Sequence, residues 1–289
     1  MTFSEGGRFE GGRVGTRRRR GGAVAGGGIG LGIVAFLIFQ FTGVDVGPAL
    51  EGIQGGGEER GTVEECSAEE ANTSRECRLS ATVQSLDAHW AQSLPAGATF
   101  VEPDVWAFEQ ATSTQCGNAT ASTGPFYCPP EQAIYLDLGF YDLLESQFGA
   151  TGGPLAEMYV TAHEYGHHIQ ALTGVMDSAD RQGTGATSDS VRVELQADCY
   201  SGVWAGQASS QVDPDTGTVF LEPISPEQLA QALSAAEAVG DDHIQQQSGG
   251  DVNPHTWTHG SAEQRQRWFM TGYESLDPAT CDTFAATDL

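Results

Sequence analysis

His163-Glu164-Tyr165-Gly166-His167-His168-Ile169-Gln170 lies inside an apolar pattern that begins at Pro154, runs through Leu155, Met158, Tyr159, Ala162 and Ile169 to Leu172, and meets Gly174 just beyond. Proline in the first turn and glycine past the last are helix start and stop signals. On such a helix His163 and His167, four residues apart, share one face one turn apart, where two imidazoles can hold one Zn2+. Glu164 stands beside them, placed to take a proton from water as it attacks a carbonyl. Two histidines do not close a catalytic zinc site, which needs a third protein ligand and one position left open.

That ligand is expected downstream. Glu194 and Asp198 lie four apart in a helical pattern from Val191 to Gly206 that also carries Val193, Leu195, Ala197, Tyr200, Val203 and Trp204. The spacing puts both carboxylates on one face. Glu194 is read as the third metal ligand, and Asp198 as the acceptor that orients a ligand histidine through its second N–H. His168 is expected to point away from the metal, and His89 and His255 to be structural or exposed.

Working outward, an amphipathic helix is expected over 79–92, where Leu79, Val83, Leu86 and Trp90 recur at helical intervals. Residues 111–123, rich in Ala, Ser, Thr and Gly, read as a loop stapled by its cysteine. Gln132–Leu138 alternates with period two and reads as a strand, followed by a helix over 141–148. Ser225 with Pro226 and Gln228 signals an N-capped helix, and Ser261 with Gln264 another that runs through Trp268 and Phe269.

The chain carries a formal charge of −26, with no Lys. Six of its thirteen basic residues fall in the first twenty positions, so the remainder holds seven against 37 acidic ones. Nucleic acid is excluded as an expected partner. Gly21 to Val44 is a run of 24 residues without a charge, long enough to cross a hydrocarbon core of about 30 Å. The reading is a cytoplasmic Arg-rich segment over 1–20, a transmembrane helix over 21–44, a flexible Gly/Glu-rich linker over 45–61 and an extracytoplasmic domain over 62–289. Arg17 to Arg20 before the apolar run set that orientation by the positive-inside rule. A cleaved signal peptide is the competing reading, though no Ala-x-Ala site follows the run.

All six cysteines, Cys66, Cys77, Cys116, Cys128, Cys199 and Cys281, lie after the apolar run, as suits an oxidising compartment. Fifteen pairings are open. The expected set is the two local loops Cys66 with Cys77 and Cys116 with Cys128, then Cys199 with Cys281. No Cys-x-x-Cys pair favours metal binding by thiolates.

HEYGHHIQ (163–170), ELQADCYSGVW (194–204) and THGSAEQRQRWF (258–269), with GPFYCPPEQAIYLD (124–137) and the Arg-rich then Gly-rich start, resemble the bacterial putative neutral zinc metallopeptidase family over nearly the whole chain. His163, Glu164, His167, Glu194 and Asp198 also match the H-E-x-x-H plus E-x-x-x-D pattern of thermolysin-like gluzincins. The resemblance implies an α+β, zincin-like metallopeptidase domain, mostly helical, with a small sheet whose edge strand holds extended peptide; 132–138 is the expected edge. The oxyanion beside the metal needs a donor. His259 is the first choice, standing six residues before Arg265 in a spacing similar to a His and Arg pair of membrane-bound prenyl-protein peptidases. His243, in Asp241-Asp242-His243, is the alternative proton donor, by a looser likeness to thermolysin.

The expectation is a membrane-anchored zinc peptidase with one catalytic ion and peptide or protein substrates. Two other classes compete: an inactive zinc-binding scaffold at the membrane, and a zinc amidohydrolase acting on a non-peptide amide. An intact Glu164 argues against the scaffold, because a structural site has no use for a base.

Overall fold

The computed structural model describes residues 2–19 and 58–289, apart from 95, 96 and 110. In chain order the strands are β1 (Arg8–Phe9), β2 (Gly15–Arg19), β3 (Glu58–Thr62), β4 (Cys66–Ser67), β5 (Asp104–Glu109), β6 (Ala111–Thr114), β7 (Gly117–Thr120), β8 (Phe126–Cys128) and β9 (Ala133–Asp137). The helices are α1 (Ala68–Thr73), α2 (Arg75–Ser93), α3 (Phe140–Ser146), α4 (Pro154–Leu172), α5 (Val175–Ser178), α6 (Asp189–Gln207), α7 (Pro226–Ala238), α8 (Asp241–Gln247) and α9 (Ala262–Ser275). This is the mixed α+β architecture expected, rich in helix with small sheets.

Local chemistry explains the helix ends. Ser225 accepts from the Gln228 N–H while the Gln228 side chain returns to the Ser225 backbone, and Ser261 with Gln264 repeats this capping box at α9. Helix α4 is buried along nearly its whole length. It packs against α2, α6 and α7, and against β8 and β9 of the main sheet. Gly166 is the residue that lets α6 close on it. A Cβ there would lie 3.0 Å from the Ala197 Cα, so any side chain at 166 would push the two helices apart.

The main sheet has the order β3-β2-β5-β9-β8. Strand β2 runs antiparallel to β3 and parallel to β5, β5 is parallel to β9, and β9 is antiparallel to β8. The expected edge strand is therefore interior. β9 has neighbours on both sides and all five of its residues are buried, while β8 is the edge that meets α4. Alternation marks a strand but carries no information about its neighbours, which is why the edge was misplaced by one strand. The stretch expected as a loop over 111–123 contains the hairpin of β6 and β7.

The expected division of the chain also differs from the fold. Residues 58–61, read as linker, belong to β3, and residues 2–19 are built into the domain. β2 lies inside the sheet, β1 pairs with β4, and Phe3, Phe9 and Val14 are buried in the same core as α2. Backbone pairing cannot pass through a bilayer, so 2–19 and 58–289 share one side of any membrane. Two charges of the Arg run, those of Arg17 and Arg18, are engaged within the fold. Arg17 is buried between the rings of Trp106 and Tyr135, 4.2 and 5.0 Å from their centroids. Arg18 pairs with Glu76 and Glu109. The expected transmembrane helix, 21–44, lies outside the described residues; among the described residues no helix is long and apolar enough to cross a membrane.

Three disulfides join Cys66 to Cys77, Cys116 to Cys128 and Cys199 to Cys281, the expected set. The second ties the β6–β7 turn to the edge strand, and the third ties α6 to the C-terminal turn Pro278–Cys281.

Candidate metal centre

Helix α4 presents His163, Glu164 and His167 to a cleft of about 370 Å³, and α6 brings Glu194 to the same wall. One ligand atom each from His163, His167 and Glu194 lies within 4.8 Å of the others. His163 Nε2 is 3.1 Å from Glu194 Oε2, and His167 Nε2 is 3.5 Å from Glu194 Oε1. Two donors on one tetrahedral zinc, each roughly 2.1 Å from it, stand about 3.4 Å apart. The spacing and the N2O donor set both suit zinc.

The opposite ring nitrogens are already engaged, which leaves both Nε2 atoms for a metal. His163 Nδ1 is 2.8 Å from Asp198 Oδ1, and His167 Nδ1 is 2.8 Å from Gln170 Oε1. Each partner is itself held. Asp198 accepts from the Tyr159 hydroxyl at 2.5 Å and from Arg265 at 2.9 and 3.0 Å. Gln170 donates to the Val193 carbonyl at 2.7 Å and to Gln196. A metal ligand fixed through its second nitrogen is fixed in tautomer and in ring orientation.

Burial works against every charge here, and the partners decide the outcome. Burial opposes protonation of His163, but the Asp198 carboxylate, with Glu194, carries it up to about 10. Burial would raise Glu194, yet His167, His259 and His163 hold it well below the ordinary carboxylate range. For Asp198, burial is outweighed by Arg265 and His163, and its pKa is lowered. Glu164 goes the other way: burial, helped by the charge of Glu194, raises it against the pull of His167 and His163. A carboxylate shifted upward beside a ligand cluster is a better base than an ordinary surface acid.

The two candidate donors separate cleanly. His259 lines the cleft; its Nδ1 is 2.8 Å from Thr258 Oγ1 and 3.5 Å from Asp241 Oδ1. Asp241 Oδ2 accepts the backbone N–H groups of Thr258, His259 and Gly260 at 2.8, 2.7 and 3.0 Å, so one buried carboxylate shapes the loop that carries the imidazole. His243 is not brought to the site. It sits on α8 with Nε2 2.8 Å from the Phe148 carbonyl, because Asp241 caps the loop before α9 and its helix directs residue 243 elsewhere. His168 also turns away, toward the Tyr127 hydroxyl on β8 and the Val101 carbonyl.

Three contributors went unread in the sequence. Gln170 follows His167 by three residues on one helix, a spacing that could have marked it. Asp241 was seen only as part of another motif, and it stands 18 positions from the histidine it serves. Tyr159 looked like core material, and its hydroxyl is engaged only because α6 passes beside it.

A family described as Putative neutral zinc metallopeptidase matches residues 3–284. The uncharacterized protein Rv2575 of Mycobacterium tuberculosis is 51% identical over 220 residues, 76% of this chain and 74% of the relative. An uncharacterized Mycobacterium bovis protein, Mb2605, gives the same figures. The uncharacterized protein YpfJ of Escherichia coli is 42% identical over 201 residues, 68% of this chain and 66% of the relative. No solved structure matches the chain.

Proposed function

Because this chain belongs to the putative neutral zinc metallopeptidase family, we propose that it hydrolyses peptide bonds with one zinc held by His163, His167 and Glu194. The observation that carries the reading is the convergence of those three donors, within 4.8 Å of one another, on a cleft that also holds Glu164 and His259. Zinc bound there supplies Lewis acidity to the scissile carbonyl and to the attacking water.

The chain's own groups do the rest. Glu164 takes the proton of the attacking water at its carboxylate and delivers it to the departing amine. His259, its Nδ1 side held by Asp241 and Thr258, offers its other ring nitrogen to the oxygen that gains negative charge. Arg265 neutralises Asp198 and so fixes His163. β8 pairs only with β9 among the described strands, and Phe126 and Tyr127 line the cleft; its free edge suits alignment of an extended peptide by strand addition.

Attachment to a membrane through the uncharged run 21–44 is part of the same proposal. The run then holds the folded unit, 2–19 included, at one face of the membrane, and the three disulfides favour the extracytoplasmic face.

The test measures zinc content and peptide hydrolysis for the full chain beside Glu164→Gln. About one zinc in both, with hydrolysis lowered roughly a thousandfold in the variant, is the expected result. Zinc in both and cleavage by neither supports the scaffold reading, and absence of zinc from both removes the metal centre altogether.

A further inference from the structure

Arg181 is a cation in the cleft that the proposed chemistry leaves unused. It follows α5 in the loop leading to α6, and its exposed side chain lines the same hollow as His163, Glu164, His167 and Glu194. Other described arginines are engaged. Arg265 binds Asp198, Arg13 binds Asp87, and Arg75 and Arg78 bind Glu157; Arg192 donates to carbonyls of the C-terminal segment. Arg181 makes a backbone bond to the Ala179 carbonyl, and among the described residues no hydrogen bond or ion pair engages its guanidinium.

Two carboxylates close to it in sequence accept backbone N–H groups instead. Asp180 Oδ1 accepts from the Gln182 N–H at 3.2 Å, and Asp189 Oδ2 accepts from the Asp180 N–H at 3.0 Å. In a chain of formal charge −26, a cleft-lining guanidinium without an internal acid keeps its planar fork of donors available to a ligand. That fork matches a carboxylate in bidentate geometry. The acidic surface repels anions at a distance, but that field is screened beyond about 8 Å at physiological salt. At contact range the local cation decides.

We propose that Arg181 is a specificity-determining residue that binds a carboxylate of the substrate, either an Asp or Glu side chain near the scissile bond or the C-terminal carboxylate of a peptide. This rests on the reading of the cleft as a zinc-holding peptide site. The remainder of the wall suits that arrangement. Pro125, Phe126, Phe140, Val160, Met176 and Val193 are apolar, so away from the metal ligands and their partners a charged contact at Arg181 adds orientation that these side chains cannot supply.

Two measurements on the zinc-loaded full chain test it. In the first, calorimetry compares pairs of zinc-anchoring alkyl hydroxamates of graded length, one member ending in a carboxylate and the other in the isosteric carboxamide. The wild type should favour the carboxylate at one length by about tenfold, Arg181→Gln should bind the pair equally, and Arg181→Glu should favour the carboxamide. In the second, cleavage of peptides differing only as Glu or Gln, and as free or amidated C-terminus, separates the two sources of the carboxylate. The acid-to-neutral ratio of KM should collapse in Arg181→Gln while the ratio of kcat holds.

A hydroxamate preference that is the same in all three proteins overturns the assignment and makes Arg181 a solvated surface charge. An Arg181-dependent preference with no peptide cleaved retains the carboxylate site and removes the peptidase reading. If no hydroxamate binds, both fall.

Discussion

Gln170 is a side chain whose loss should register at the metal without touching it. Its Oε1 holds His167 Nδ1 at 2.8 Å while its amide anchors to the Val193 carbonyl on the helix that carries Glu194. Gln170→Ala should weaken zinc binding about 10- to 100-fold, measured by competition with a chromophoric chelator, and Gln170→Glu, which keeps the acceptor, should recover part of it. Equal zinc affinity in wild type and Gln170→Ala would show that His167 needs no such support. A second residue-scale effect lies away from the metal. His89 is fully buried against Trp90, and burial lowers its pKa from 6.5 to about 4. The unfolded chain therefore takes up this proton first as pH falls. Its contribution is complete above about pH 6.5 and is lost as pH falls toward 4, by about 3 kcal/mol in full. Urea melts at pH 7 and 4.5 should show a smaller acid loss in His89→Gln than in the wild type; parallel losses would clear His89. Of the site itself, the convergence of His163, His167 and Glu194 was legible because helix spacing translates directly into a shared face. The contacts that hold the ligands were not, since Asp241 and Tyr159 acquire their roles only from elements that pack beside them.

Between elements, the decisive contact is the crossing of α6 and α9, which brings Asp198 to Arg265. Two glycines permit it. A Cβ on Gly202 would lie 2.0 Å from the Phe269 carbonyl oxygen, and one on Gly272 would lie 2.0 Å from the Cys199 carbonyl oxygen. Both obstacles are backbone, so neither can swing aside. Gly272→Ala should cost about 2–3 kcal/mol in stability, read by denaturant melts, and should also weaken zinc binding, because α9 supplies the guanidinium that neutralises Asp198. A variant as stable as the wild type would mean the helices separate at little cost. The helices themselves were readable: α4 was expected over 154–172 and is found there, and the capping boxes at Ser225 and Ser261 mark real N-termini. Their crossings were not readable, because glycine in a helix looks like a weakness until the neighbouring backbone is known. The same gap misplaced the edge strand. Residues 132–138 alternate as a strand should, yet the three-residue β8 that shields them is too short to carry a pattern.

For the whole molecule, the N-terminal eighteen described residues behave as part of the domain. Strand β2 supplies both ladders between β3 and β5, and Gly15 makes room for the Trp106 ring, which a Cβ would approach to 2.3 Å. Arg13 donates to both oxygens of Asp87 at 2.6 and 2.9 Å, and Asp87 accepts from the hydroxyl of Tyr165, inside the zinc-binding motif. Two contacts thus join the N-terminal segment to the helix that carries His163 and His167. A chain begun at Thr62, the boundary composition suggests, lacks β2 and most of β3, opens the β5 edge and uncovers the surfaces that Phe3, Phe9 and Val14 bury. It should be insoluble or melt far below the full chain, and a version that restores residues 2–19 through a short linker to residue 58 should regain both the transition and stoichiometric zinc. Cooperative unfolding of the shortened chain at the full-length temperature would show that β2 is an ornament of the sheet. The same pairing fixes topology: a cysteine placed at exposed Glu5 should react with a membrane-impermeant maleimide from the side on which the zinc domain is protease-accessible. Labelling from the opposite side would require β2 to leave the sheet in the membrane-bound protein, and would return the Arg run to the role its charge alone suggested.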